Sequence, residues 1–116
     1  FENKKNVSVV ILGDYNMDST PKGWKKHYDK KNTSLKSEGF LNLYDNYKKR
    51  FITYYGSKIS PKKRCLDYVY YRKGLLDNNF TLSIHQDPNN FKELSDHRPF
   101  NVKINWEDEI YYDASD

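Results

Sequence analysis

The sequence predicts one α/β domain of the α+β kind: a strand, helical pieces, then a mostly antiparallel second half. Three observations predict it. Val9-Val10-Ile11-Leu12 is an apolar run that stops on Gly13-Asp14-Tyr15-Asn16, the pattern of a strand buried on both faces and ended by a turn. Helix signals follow, with Ser19 or Thr20 as a cap, Pro21 at the first helical position and Gly39 as a stop. Later, Phe80, Leu82 and Ile84, then Phe100, Val102 and Ile104, alternate with polar residues at the period of half-buried strands.

Taken in order, residues 1–6 form a polar lead-in and residues 7–12 the first strand. A short helix runs through Trp24, Lys25 and Tyr28, and residues 29–34 read as a charged connection. Residues 35–44 read as the end of a helix stopped at Gly39, then a short extended piece. Phe51-Ile52-Thr53-Tyr54-Tyr55 is β-prone and ends on Gly56-Ser57. Residues 58–64 form a basic loop with Pro61, and residues 66–72 the next strand, with Lys73-Gly74 as its turn. Strands over 80–85 and 100–105 complete the set, separated by polar turns. Residues 1–106 make the domain body, and residues 107–116 an acidic tail expected to be disordered or docked on a partner.

The chain has 116 residues, room for one small domain, and lacks an apolar run long enough to cross a bilayer. Eleven tyrosines imply a core rich in aromatics whose hydroxyls need partners. The net charge of +4 conceals an asymmetry, because residues 1–106 hold 20 bases against 11 acids while the last ten residues hold five acids and no base. A basic body suits a polyanion such as nucleic acid, or an anionic membrane surface. Scattered lysines on a solvated surface read equally well, since they form no single stripe. Cys65 is alone, so an internal disulfide is excluded and compartment stays open.

Three polar clusters sit at strand ends or in β-prone runs: Asp14 with Asn16, Asp67 in Leu66-Asp67-Tyr68, and Ser95-Asp96-His97-Arg98-Pro99. Each alone is common. An Asp in a turn is usually a turn residue, and Asp67 alone reads as a buried acid in need of a partner. Together, Gly-Asp-x-Asn, then x-Asp-Tyr, then Ser-Asp-His-x-Pro resemble the endonuclease/exonuclease/phosphatase superfamily. The matching motifs span nearly the whole chain but correspond to the C-terminal half of that fold. The resemblance implies half of a four-layer α/β/β/α sandwich, deoxyribonuclease I-like, incomplete without an upstream segment.

The same resemblance implies a divalent-metal-dependent phosphoester hydrolase using Mg²⁺ or Mn²⁺. In it Asp14 positions or deprotonates the attacking water, Asn16 helps hold the phosphate, and His97 contacts the phosphate and moves a proton. Asp67 fixes the His97 tautomer, and Asp96 belongs to the metal site or to the residues that surround its ligands. The superfamily's principal Mg²⁺ ligand, a Glu, belongs to the half this chain does not contain. Lys63 and Arg64, beside Lys62, are candidates for substrate phosphate, or part of a solvated basic loop. His27 and His85 fit no motif and read as surface residues. The 5-phosphatase branch carries Asp-Arg where this chain has Asp67-Tyr68, although Ser95–Pro99 resembles its last motif. The basic body tips the expectation towards a phosphodiesterase acting on nucleic acid. A sphingomyelinase-like or inositol-phosphate-directed enzyme is the alternative, and an inactive scaffold of this fold is the alternative of another class.

Overall fold

A computed structural model describes residues 7–20, 22–56, 62–74 and 80–106. The polar lead-in, Pro21, most of the basic loop before Lys62 and the acidic tail lie outside the described residues. The elements run β1 (Val9–Asp14), α1 (Lys22–Ser37), β2 (Leu41–Asn42), a 3-10 turn over Leu43–Asn46, β3 (Asp67–Arg72), β4 (Phe80–Gln86) and β5 (Phe100–Trp106). Two antiparallel sheets result, one ordered β1-β3-β2 and one pairing β4 with β5. The fold is therefore mixed α/β with antiparallel sheets, as the alternating second half predicts. No helix among the described residues is long and apolar enough to cross a membrane.

β3 is central because its sequence is apolar on both faces. Tyr68, Val69, Tyr70 and Tyr71 are all buried. Burying Val69 alone stabilises by about 2 kcal/mol. Successive side chains of a strand point to opposite faces. Tyr68 and Tyr70 face α1: the Tyr68 ring lies 5.6 Å from that of Tyr28, and the Tyr70 hydroxyl donates to Asn32 Oδ1 at 2.6 Å. Asp67 therefore faces the other way, with Val69 and Tyr71. A one-residue slip would turn Asp67 onto the helix, so core packing sets the side on which any chemistry occurs. Except for that of Tyr15, which is buried without one among the described residues, the buried tyrosine hydroxyls find partners: Tyr68 donates to Cys65 O at 3.0 Å and Tyr44 to Asp67 O at 2.6 Å. The Tyr28 hydroxyl accepts from Asn42 Nδ2 at 3.0 Å and that of Tyr47 from Ile84 N at 2.7 Å.

Two expectations about the first strand are corrected. The first strand is not buried on both faces, because Ile11 is 38% and Leu12 56% exposed. Among the described residues β1 lies at the edge of its sheet and pairs with β3 alone, so one flank of its apolar run has no neighbouring strand, although Val9 and Val10 pack on the core. It also continues through Gly13, whose φ of 151° fits a residue without a Cβ, and the turn begins only after Asp14.

The helix is longer than its signals imply. Residues 29–34 are helical, not a connection. Trp24, Tyr28 and Leu35 mark the half-buried stripe, but its intervening turn is occupied by Asn32. Asn32 serves the stripe by hydrogen bonding to Tyr70, so the apolar periodicity skips a turn that the helix does not. Gly39 ends it as expected: at φ 86° it donates to Lys36 O, and Phe40 N donates to Leu35 O, the paired bonds of a Schellman cap.

The β-prone run 51–55 joins neither sheet. It makes isolated bridges through Tyr54, to Arg64 on one side and His97 on the other. Fully buried Thr53 ties it to β3, its Oγ1 accepting from Leu66 N at 2.9 Å and Asp67 N at 3.0 Å. The Thr53 carbonyl accepts from Arg98 N at 2.6 Å, and Tyr55 N donates to Asp96 O at 2.7 Å. The segment is thus a strap between the start of β3 and the His97 loop. Thr53→Val keeps the shape but leaves two N–H groups without their acceptor. It should destabilise the protein by about 2–4 kcal/mol, measured by urea unfolding.

Candidate active site

The end of β1 and the start of β3 put two carboxylates opposite each other. Asp14 and Asp67 are register partners across the antiparallel pair. Like charges directly opposite on one sheet face repel, so this pairing needs a positive or proton-bearing neighbour. His97 supplies it. Its Nδ1 lies 2.7 Å from Asp67 Oδ2, and its Nε2 lies 3.7 Å from Asp14 Oδ2. Nδ1–H donates to Asp67, which leaves Nε2 directed towards Asp14.

Each group is held by its own local chemistry. Asp67 is fixed through its N–H by Thr53 and through its carbonyl by the Tyr44 hydroxyl. Its side chain is only 13% exposed, against 31% for His97 and 49% for Asp14. Asp14 Oδ1 accepts from Asn16 N at 2.8 Å, so one oxygen closes the turn while Oδ2 faces His97. Asn16 sits at φ 51°, a left-handed conformation that Asn tolerates, and its side chain is exposed beside Asp14. His97 N donates to Ser95 Oγ at 3.1 Å, and the Tyr54 ring stands edge-on to the imidazole at 5.4 Å.

Burial works to lower the His97 pKa, but the hydrogen bond and charge of Asp67, with the charges of Asp14 and Asp96, outweigh it. The net effect raises the pKa above the ordinary histidine value. Burial also pushes the Cys65 thiol up to about 12, so this lone cysteine is no thiolate nucleophile at neutral pH.

No family model, no curated protein and no solved structure matches the chain. What the site can do therefore rests on its geometry. Of the residues singled out in the sequence, Asp14, Asp67 and His97 converge, with ligand atoms all within 4.8 Å of one another, and Asn16 stands on the same turn as Asp14. Asp96 does not join them. It is exposed and outside that cluster, and it reaches His97 only through its charge. Lys63 is exposed, and the Arg64 guanidinium lies 4.8 Å over the Trp24 ring, packed on α1. His27 and His85 are exposed, as expected.

The cluster fits a divalent ion in part. Asp67 Oδ2 is already engaged by His97, so Asp14 offers the free carboxylate oxygen and His97 Nε2 the free nitrogen. Mg²⁺ prefers several oxygens in an octahedron, and these three residues do not supply them unaided. Beside the cluster lies a cavity of about 420 Å³ whose walls include Asp67, His97, Leu12, Phe91, Leu94 and Phe100.

Sequence reasoning missed Thr53, Tyr44 and Asp18. Thr53 is the one polar residue in an otherwise apolar and aromatic run, which is the signal it offered. Asp18 is fully buried, pairs with Arg50 and accepts from Cys65 N at 3.2 Å. Nothing in Met17-Asp18-Ser19 announces it.

Asp67→Asn should lower the His97 pKa, because the hydrogen-bonded negative charge is removed. Proton NMR titration of the His97 ring in both proteins measures this, and an unchanged midpoint would contradict the pairing.

Proposed function

We propose that the chain is the C-terminal half of a divalent-metal-dependent phosphodiesterase of the endonuclease/exonuclease/phosphatase superfamily, its complete fold the deoxyribonuclease I-like four-layer α/β/β/α sandwich. Nucleic acid is the favoured substrate. The observation that carries this reading is the Asp67–His97–Asp14 line, with Nδ1 bound to one carboxylate and Nε2 turned towards the other.

Hydrolysis of a phosphodiester forms a bond from water oxygen to phosphorus and breaks the bond to the leaving oxygen. Asp14 orients the water and takes its proton. Protonated His97 contacts the phosphoryl group through Nε2–H and gives that proton to the leaving oxygen. Asp67 keeps the imidazole in the tautomer and orientation this requires. Asn16 presents its amide to the phosphate from the Asp14 turn. Mg²⁺ or Mn²⁺, when bound, would offset the charge on the phosphoryl oxygens. Asp14 is the carboxylate free to face the ion, Asp96 adds negative charge nearby, and the remaining acidic ligand belongs to the other half of the proposed fold.

One observation favours a lipid phosphodiester as a second reading: Leu12, Phe91, Leu94, Pro99 and Phe100 give the cavity beside His97 an apolar wall. With Mg²⁺, the complete protein, this chain together with the other half of the proposed fold, is expected to cleave an oligonucleotide and leave sphingomyelin and inositol polyphosphates intact. The reverse preference would favour the second reading. His97→Ala should lower kcat by roughly 100-fold or more while leaving the fold intact, with a lowered urea midpoint because Asp67 loses its partner. Full activity in that variant, or no turnover on any of these phosphoesters, would overturn the enzyme reading and leave the scaffold.

A further inference from the structure

On the α1 side of the sheet, a second cavity of about 240 Å³ is lined by the consecutive cations Lys48, Lys49 and Arg50, together with Ser19, Thr20 and Tyr47. Arg50 is anchored there by its ion pair with buried Asp18, which holds the basic run against the body instead of leaving it loose. Lys49 Nζ lies 4.9 Å from the centroid of the Phe51 ring. Neither Lys48 nor Lys49 forms an ion pair among the described residues. Asp45, which also lines the cavity, is already paired with Lys36 at 2.9 Å. With Asp18 offsetting Arg50, two uncompensated positive charges remain over a floor of aromatic rings and hydroxyls. Exposed cations of this kind are what the phosphates of a nucleic-acid strand bind.

Position adds to the argument. Cys65 lines this cavity and Asp67 lines the one beside His97. One residue, Leu66, separates them, at most about 7 Å between Cα atoms. A strand whose reacting phosphate lies at His97 would have to cross the end of β3 to bring a neighbouring phosphate to Lys48 and Lys49 on the other face.

We infer that the Lys48–Arg50 cavity is a flanking-phosphate subsite that holds a nucleic-acid strand beside the candidate active site. The inference rests on the phosphodiesterase reading for its placement, but strand binding can be measured without cleavage. The test compares wild type with Lys48→Glu/Lys49→Glu in metal-free buffer, using fluorescence anisotropy of a labelled single-stranded oligonucleotide over a series of salt concentrations. Lys26→Glu/Lys30→Glu, on the exposed face of α1, makes the same change in net charge elsewhere. The Lys48/Lys49 pair should raise the Kd at least about 10-fold and flatten the salt slope by roughly 1.4, about 0.7 for each lost phosphate contact. Lys48→Gln/Lys49→Gln should follow in the same direction with a smaller rise.

Equal weakening by the α1 pair would mean a bulk charge effect and would overturn the subsite. So would unchanged oligonucleotide binding combined with loss of binding to phosphatidylcholine–phosphatidylserine vesicles, which would assign the surface to a membrane. If the wild-type protein cleaves no phosphoester yet the Lys48/Lys49 effect on the oligonucleotide stands, the binding surface survives and the catalytic reading falls. If cleavage stands and the double variant binds like wild type, the subsite alone falls.

Discussion

Asp67 is held at three points by three different segments of chain. Its N–H is bound by Thr53 Oγ1, its carbonyl by the Tyr44 hydroxyl, and its carboxylate by His97 Nδ1. A half-buried carboxylate is tolerated only where it is paired, so these contacts are a condition of the fold as well as of the chemistry. Residues 51–55 run as a strap between the start of β3 and the His97 loop, bridged through Tyr54 to Arg64 and to His97.

The rest of the site follows from that fixed point. Antiparallel register places Asp14 against Asp67, and repulsion between the two carboxylates selects a proton on the imidazole between them. Burial of His97 opposes that proton and is outweighed. The His97 pKa is thereby raised, and its neighbour Asp14 keeps one oxygen for its own turn and turns the other inwards. On the opposite face, Tyr68 and Tyr70 commit β3 to the helix. The two faces have separate tasks, and the alternation of one strand divides them.

Much of this was legible in the sequence, and the gaps have physical causes. β3 and β5 were readable because an apolar strand and an alternating strand are local patterns. The helix stop was readable because Gly39 marks a left-handed cap. The middle of α1 was not, because its buried stripe is completed by Asn32, whose partner Tyr70 is distant in sequence. The exposure of Ile11 and Leu12 was not legible either, since a run of aliphatics does not record whether its strand is central or at an edge. Asp14, Asp67 and His97 were found through the types and order of their motifs. Asp96 shares a motif with His97, but adjacent residues in an extended loop point apart, and it stays outside the cluster. The roles of Thr53 and Asp18 depend on backbone N–H groups far along the chain, and no local pattern encodes those.

The central claim is that Asp67 fixes His97 with its proton on Nδ1 and leaves Nε2 free for chemistry. Nitrogen-15 NMR of the labelled His97 ring tests it most directly, at a pH high enough that the imidazole is neutral. The Asp67 hydrogen bond predicts a protonated Nδ1 and an unprotonated Nε2. A neutral ring protonated on Nε2 instead would contradict the account.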